Sequence, residues 1–318
     1  MARAVSGSGI SDKLIVLIGG SGFVGTHLAQ ALLARGARLR IACRHPKRAF
    51  QIKPLGNLGQ VQFASIDVTR PETLEPALAG ADAVVNLVGA FAGDLDAVMG
   101  RGAGRVAAAA AAAGASAFVH VSAIGADAAG ATAYARAKAV GEAAVLAAFP
   151  TATVLRPSVL FGSDDQFVNL FAGLVAAMPV LPVFAPEARF QPLFVDDLAE
   201  AIAHALETPA THAGKTYELG GPETISVAEL NQRIAAAQGR SVLFAPLPDA
   251  LSDLIATLTG WLPGAPITRQ QWLLLKAGNV VSGTLPGIDA LGVTPRPLGL
   301  FLDRWMVRYR KHGRFGRA

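Results

Sequence analysis

The apolar positions of this chain fall into short runs separated by helical repeats. Leu14–Ile18 is a five-residue apolar run, the pattern of a parallel strand buried on both faces. Glycines follow at 19, 20, 22 and 25, and Val24, Leu28, Ala31 and Leu32 then recur at helical spacing until Gly36 stops the helix. Further strands are predicted at 38–42, 61–66, 83–88, 117–121 and 153–156, with an alanine-rich helix over 102–114 and another helix from Tyr134 to about Phe149. Strand and helix in alternation predict an α/β fold with a doubly wound parallel sheet. Past Phe161 the pattern loosens into a smaller, irregular C-terminal region. The chain is expected to return to the sheet at 193–195, with Asp196 or Asp197 capping a helix over 198–206, and again in a short strand at 217–220. Ser226 and Glu229 have the spacing of a capping box. Leu251, Leu254, Ile255 and Leu258, followed by Trp261 and Pro263, and the run 272–275 read as apolar stripes facing a core, with a docking face on a membrane or partner as the alternative.

Composition narrows the class. With 318 residues, 52% hydrophobic and 16% charged, the chain is a compact globular protein that can bury a sizeable core. Mean hydropathy is +0.41, much of it from alanine. Two uncharged stretches, 106–126 and 166–186, approach membrane-span length, but the first is alanine and glycine leading into a strand and the second carries Pro179, Pro182 and Pro186. Residues 1–12 are too short and polar for a signal peptide. The single cysteine, Cys43, excludes an internal disulfide and fits a reducing compartment, so a cytoplasmic location is expected. The six histidines lack metal-ligand spacing, and no metal is expected. The net charge of +5 is concentrated in Arg304, Arg308, Arg310, Lys311, Arg314 and Arg317. That tail is either a solvated terminus or a contact for a partner or an anionic membrane surface, which would make the protein peripheral to the inner membrane. No basic stripe with interleaved aromatics points to nucleic acid.

The chemistry starts at the glycine turn. Gly19, Gly22 and Gly25, with Ser21, Phe23 and Val24 between them, form a strand–turn–helix unit in which backbone can approach a dinucleotide pyrophosphate at a helix N-terminus. Gly25 would let helix and strand lie close; the alternative is a tight turn with no ligand. After the second strand, where NAD-binding folds usually place an acid, stand Arg44, Lys47 and Arg48. A guanidinium there would pair with a 2′-phosphate, so NADP(H) is preferred, with NAD(H) or plain surface charge as alternatives. Val88 and Gly89 end the fourth strand, at the edge where open α/β sheets bind ligands. Ser122 ends the fifth, and Tyr134 and Lys138 share one helix face at i, i+4. An ammonium beside the phenol would favour the phenolate and fit Tyr134 for proton transfer, with Ser122 orienting a substrate oxygen. Tyr134 and Lys138 are also expected to contact the cofactor, Lys138 by bonding the nicotinamide ribose, while the plain alternative for Lys138 is an ion pair with Glu142 at i, i+4.

These residues resemble the extended and atypical short-chain dehydrogenase/reductases, whose first turn reads much like residues 19–25 and whose triad matches Ser122, Tyr134 and Lys138. Stretches 119–126, 133–142, 152–162, 190–197 and 217–222 look closest to the NAD-dependent epimerase/dehydratase-like branch that holds the nucleotide-binding accessory subunit of respiratory complex I and its bacterial relatives. The resemblance spans about residues 13–300. It implies a Rossmann domain over 13–160 and a C-terminal region, 161–318, that partly returns to the sheet at about 190–222 and otherwise forms a substrate lid or docking surface. It also implies that Asp67 and Val68 lie near the adenine and Pro157 near the nicotinamide, although Asp67 could equally cap a turn before Pro71. Met99 departs from the family, falling near a position that is often Asn. Three functions follow: a hydride-transferring oxidoreductase or epimerase-like enzyme on an unidentified small molecule, an accessory or assembly subunit of a respiratory NADH dehydrogenase complex, or an NADP(H) redox sensor.

Overall fold

The computed structural model describes residues 9–259, 267–311 and 313. The readings for residues 1–8, Trp261, Pro263, Arg314 and Arg317 concern positions outside those described. The chain forms two compact units, one of residues 1–157, 195–219 and 283–294, the other of 158–194, 220–282 and 295–318.

The first unit is built on a seven-stranded sheet. Its members are β1 (Leu14–Ile18), β2 (Arg38–Cys43), β3 (Val61–Ser65), β4 (Ala83–Asn86), β5 (Ala117–Val121), β6 (Thr153–Pro157) and the strand Thr216–Leu219. From one edge the order is Thr216–Leu219, β6, β5, β4, β1, β2, β3, and every pair is parallel. Chain order reverses between β1 and β4, the switch point at which such sheets open a crevice beyond their strand ends. The doubly wound sheet expected from the sequence is therefore present. Around it run α1 (Phe23–Ala34), α2 (Leu74–Leu78), α3 (Arg101–Ala112) and α4 (Ala133–Ala148). One core layer joins Val16, Ile18, Val84 and Phe118 of the strands to Leu74, Leu78, Val106, Ala110 and Val145 of the helices. Small residues are the tool of this packing: Ala103, and Ala107 and Ala110 of the alanine run, are buried, and α3 meets α4 through small residues. A Cβ on Gly104 would lie 2.7 Å from the Ala144 Cβ, and one on Gly141 would overlap the Met99 carbonyl oxygen. A single π-helical turn, Asp96–Gly100, leads into α3.

Two local expectations need correction. Leu193 and Phe194 do not rejoin the main sheet; they pair with Leu160–Phe161, and Val195 already opens the Val195–Glu207 helix. The cause is aromatic packing within the second unit, where the Phe194 ring stacks on Phe301 with centroids 4.3 Å apart. Because the helix follows the strand directly, Asp196 sits in its first turn and not at a cap. There its Oδ1 lies 2.5 Å from the His27 Nδ1 of α1, and its charge complements the helix dipole.

The second unit carries short strand pairs, Val180–Val183 with Leu243–Pro246 and Arg189–Phe190 with Ile225–Ser226. Phe161, Phe194, Phe301 and Trp305 form its aromatic cluster, with the Arg296 guanidinium 4.5 Å from the Phe194 centroid. The capping box at Ser226 is half made: Ser226 Oγ accepts from the Glu229 N–H, but the Glu229 carboxylate pairs with Arg233. The complete box in this unit is Thr268 with Gln271. In the Asp249–Thr259 helix, Leu251, Leu254 and Leu258 are exposed, contrary to the core reading. Small residues win the inner face, where Ser252 and Ala256 are buried and Ala256 packs with Trp272. Of the basic tail, Arg308 bonds the Ser163 carbonyl and Asn169, and Arg310 bonds the Ala237 carbonyl. Among the described residues no helix is long and apolar enough to cross a membrane.

Candidate functional site

Parallel pairing puts the C-terminal ends of β1 to β6 along one sheet edge, and the predicted site residues lie on or just beyond such an end, on the first turn of α1 or on α4. At β1 the Gly19 N–H donates to the Ala42 carbonyl, 2.8 Å, and its φ of 77° is left-handed. Gly22 caps α1 with no side-chain bond, so the first helical N–H groups are left for a ligand. Gly25 is buried under the turn: a Cβ there would lie 2.5 Å from the Gly20 carbon atoms and overlap the Gly20 oxygen. Above the turn there is room. A Cβ on Gly22 meets only the Gly19 oxygen, at 3.5 Å, and one on Gly89 meets nothing within 4 Å. This open cradle fits a dinucleotide pyrophosphate. Ser21, Phe23 and Val24 are each partly buried in the turn.

Arg44 is exposed past β2, as are Lys47 and Arg48. Beyond β3 the Asp67 carboxylate accepts from Thr69 N–H and Oγ1, 2.9 and 2.6 Å. Those bonds, with the charges of Arg70 and Arg44, hold it below the usual carboxylate range. The turn-forming alternative for Asp67 is thus realised, and its charge lies within reach of Arg44. Val68 is buried, and its carbonyl accepts from Arg105, 3.3 Å. At β4 the Val88 N–H donates to Asn86 Oδ1, 3.2 Å. Buried Pro157 ends β6, and its carbonyl accepts from Ile124 N–H, 3.1 Å.

One bond draws Ser122 and Lys138 together: the Lys138 Nζ donates to the carbonyl of Val121, 3.0 Å, the residue before Ser122. Ser122 is 4% exposed, its N–H donates to the Leu155 carbonyl, and its Oγ has no bond partner among the described residues. Thr132 caps α4 through the Ala135 N–H and so fixes the helix that carries Tyr134 and Lys138. The Lys138–Glu142 pair is not formed. Glu142 instead takes the Arg156 guanidinium in bidentate fashion, 2.9 Å from Nε and 2.6 Å from Nη2, because β6 offers a planar fork that matches the carboxylate. Burial therefore pushes Lys138 down to about 8, with the Glu142 charge acting against the shift. The expected phenolate is also corrected. Burial pushes Tyr134 up to about 12, and the Lys138 Nζ lies 6.0 Å from its ring centroid.

Sequence reasoning missed two neighbours. His120 shares the Ser122 face of β5, and its Nδ1 lies 3.2 Å from the Asn86 Nδ2. Since that amide nitrogen donates, Nδ1 accepts and the ring proton sits on Nε2, which is buried without a partner among the described residues. Burial and the Lys138 charge push His120 down to about 3 and keep it neutral. The signal was two polar residues, Asn86 and His120, inside otherwise apolar strands. The second neighbour is Phe91, whose ring stacks on Tyr134 at 5.0 Å and 11°. Its loop is tied down by the Ala90 N–H donating to the Met99 Sδ, 3.3 Å.

A doubly wound parallel sheet whose first turn is a glycine-rich helix start defines the class of NAD(P)-binding Rossmann proteins. Residues 15–220 match the model of the NAD dependent epimerase/dehydratase family, and the chain belongs to that family. Over 315 residues it is 29% identical to NADH dehydrogenase (ubiquinone) 1 alpha subcomplex subunit 9, mitochondrial, of Rattus norvegicus, covering 96% of this chain and 82% of that protein. Over 200 residues it is 31% identical to the ceramide reductase of Caulobacter vibrioides, covering 62% of each. The triphenylmethane reductase of Citrobacter sp., solved with NADP(H), superposes with a TM-score of 0.74 at 20% identity, covering 92% of this chain and 99% of that one, a likeness of fold. The family resemblance read from the glycine turn and from 119–142 is borne out.

Proposed function

We propose that the protein holds NADP(H) at the β1/β4 crevice and reduces a carbonyl substrate. The observation that carries this reading is the Ser122 Oγ, buried, unpartnered and next to the carbonyl on which Lys138 is anchored. A buried hydroxyl without a partner costs about 1–3 kcal/mol unless a ligand satisfies it, and a substrate oxygen would do so. The glycine cradle would hold the pyrophosphate, with Val88, Gly89 and Pro157 lining the path toward the nicotinamide. Arg44 would face the 2′-phosphate, and Asp67 and Val68 would lie on the adenine side. A bound nicotinamide would supply a hydride to the carbonyl carbon. Tyr134 is protonated across physiological pH and gives its proton to the carbonyl oxygen; the Lys138 ammonium steadies the phenolate until solvent reprotonates it. Arg44→Ala should raise the Kd of NADPH at least 10-fold while leaving NADH little changed, and Tyr134→Phe should keep NADPH binding and lose NADPH oxidation with carbonyl substrates. Equal losses for both nucleotides would remove the NADP(H) preference, and unchanged turnover would remove Tyr134 from the chemistry.

A second reading, a nucleotide-holding accessory subunit of a respiratory complex peripheral to a membrane, is supported by the 29% identity over 96% of the chain to a protein named as a subunit of NADH dehydrogenase. Native mass spectrometry of the protein from its own cells separates the two. NADPH retained within a large stable assembly supports the subunit; free exchange by the isolated chain supports the reductase.

A further inference from the structure

From the segment that follows β2 we infer that the first unit docks on an anionic phospholipid surface, with Leu58 and Phe50 entering the interface and Lys47, Arg48 and Lys53 meeting the headgroups. The inference is independent of what the β1/β4 crevice does. Residues 36–66 carry six cations and no carboxylate. Three of the six have other places: Arg38 donates to the Asp12 carbonyl, Arg40 donates to the carbonyls of Ala77 and Ala79, and Arg44 stands where the nucleotide is proposed to lie. The other three, Lys47, Arg48 and Lys53, lie on the 3-10 helix Pro46–Leu55 and are exposed. Among the described residues none of them enters an ion pair. Such a helix has three residues per turn, so side chains at i and i+3 stand one above another. Ala49 and Ile52 form its buried inner ridge, and Lys47, Phe50 and Lys53 form an outer one, an aromatic ring between two ammonium groups. Phe50 is half exposed and is held by an edge-on contact with Phe63 of β3, centroids 4.9 Å apart.

Leu58 follows on a turn that is tightly built. The Gln60 N–H donates to the Asn57 carbonyl, 3.1 Å, and Gly59 has a φ of 80°, the pattern of a type II turn. The Gln60 side chain pins it three ways, accepting from the Asn57 N–H at 2.9 Å and donating to the carbonyls of Leu33, 3.3 Å, and Ala37, 2.8 Å. At its tip Leu58 is wholly exposed. A lone surface leucine needs no explanation, but a leucine held out on a pinned turn, in one stretch with a half-exposed phenylalanine and three unpaired cations, marks a contact surface. Because Leu58 protrudes, the surface that receives it must yield, as a fluid interface does. Lysine and arginine stems can lie along the apolar ridge while their charges reach the headgroups. Apolar side chains for the interface, cations for the headgroups and no carboxylate to repel them are the complement of a negatively charged bilayer.

The test sediments the full chain with vesicles of phosphatidylcholine alone and of phosphatidylcholine mixed with phosphatidylglycerol. The wild type should bind the mixed vesicles only, and release from them in about 0.5 M salt. Lys53→Gln should weaken that binding about 5-fold, the worth of one cation near such a surface, and Leu58→Asn about 10-fold or more, both at the wild-type Tm. Leu58→Trp should bind, and its fluorescence should move to shorter wavelength with the mixed vesicles only. Absence of binding, equal binding to phosphatidylcholine alone, binding that persists in high salt, or anionic binding that neither Lys53→Gln nor Leu58→Asn weakens would each overturn the inference, the last by placing the contact elsewhere in the chain. A loss with Lys53→Gln and none with Leu58→Asn would overturn it too, since charge without insertion is the behaviour of a site for an acidic protein or nucleic acid.

Discussion

Gly22 and Gly25 sit three residues apart in the same turn and should fail in opposite ways when changed to alanine. At Gly25 the added Cβ lies 2.5 Å from both Gly20 carbons, where ordinary contact begins near about 3.4 Å. The start of α1 and the turn must separate by about 1 Å, and both sides are backbone. Overpacking of this kind costs about 1–3 kcal/mol, here at the upper end, and the better helix propensity of alanine returns up to about 1 kcal/mol. A net loss of about 2 kcal/mol should lower Tm by about 3 °C in a chain of this length. At Gly22 the new Cβ meets the Gly19 oxygen at 3.5 Å and the φ of −85° suits any residue, so Tm should hold. The methyl would, however, stand where the pyrophosphate lies, and the Kd of NADPH should rise about 10-fold or more, a loss of about 1.4 kcal/mol. Thermal melts and calorimetric titration of both variants give the four numbers. Equal melting losses, or a Gly22→Ala protein that binds NADPH as the wild type does, would refute the placement of the nucleotide over this turn.

Two pH experiments test the buried bases. Lys138 falls from 10.5 to about 8 on folding, so below pH 8 the cost of burying the charge is fully present. Between about pH 8 and 10 the native state gives up its proton first, the unfolded state binds more, and wild-type stability should gain about 2 kcal/mol relative to Lys138→Met. Parallel urea-unfolding profiles for the two would refute this. His120 falls from 6.5 to about 3, so its neutral form stabilises the fold above pH 6.5 and that contribution drains away as pH falls toward 3. Wild type should lose about 4 kcal/mol more than His120→Gln between pH 6.5 and 3, measured by denaturant unfolding, and an identical acid limb would place a partner or water on Nε2.

The sheet was legible because its signal is local. Leu14–Ile18 and Ala117–Val121 announce themselves as apolar runs, and both strands have those bounds. What failed depended on partners distant in sequence. Leu193 and Phe194 carry a strand pattern, but Phe301 and Trp305, more than a hundred residues later, decide where Phe194 packs. The i, i+4 rule paired Lys138 with Glu142, and Arg156 from a neighbouring strand took the carboxylate. In the Asp249–Thr259 helix, counting leucines found an apolar stripe, whereas the buried face belongs to Ser252 and Ala256, which are small enough to pack closely. For the site, residue types and spacing named Ser122, Tyr134 and Lys138, but desolvation, which sets the protonation of the last two, is a property of packing that no spacing reveals. Phe91 was invisible for the same reason: only the folded loop brings it over Tyr134.

The seam between α3 and α4 bears on how this chain can change over generations. Gly104 meets Ala144 and Gly141 meets the Met99 carbonyl with no spare volume, so the helix carrying Tyr134 and Lys138 rests on hydrogens and methyl groups. Cores usually adapt by exchanging larger for smaller side chains across a contact. Here only the Ala144 methyl is left to shrink, and at Gly141, which faces the Met99 backbone, an added side chain pushes the helix and both residues away together. Variation in what the protein does is therefore channelled away from the helix, toward exposed loops such as the one bearing Phe91. The seam conserves the machinery by having no freedom to give.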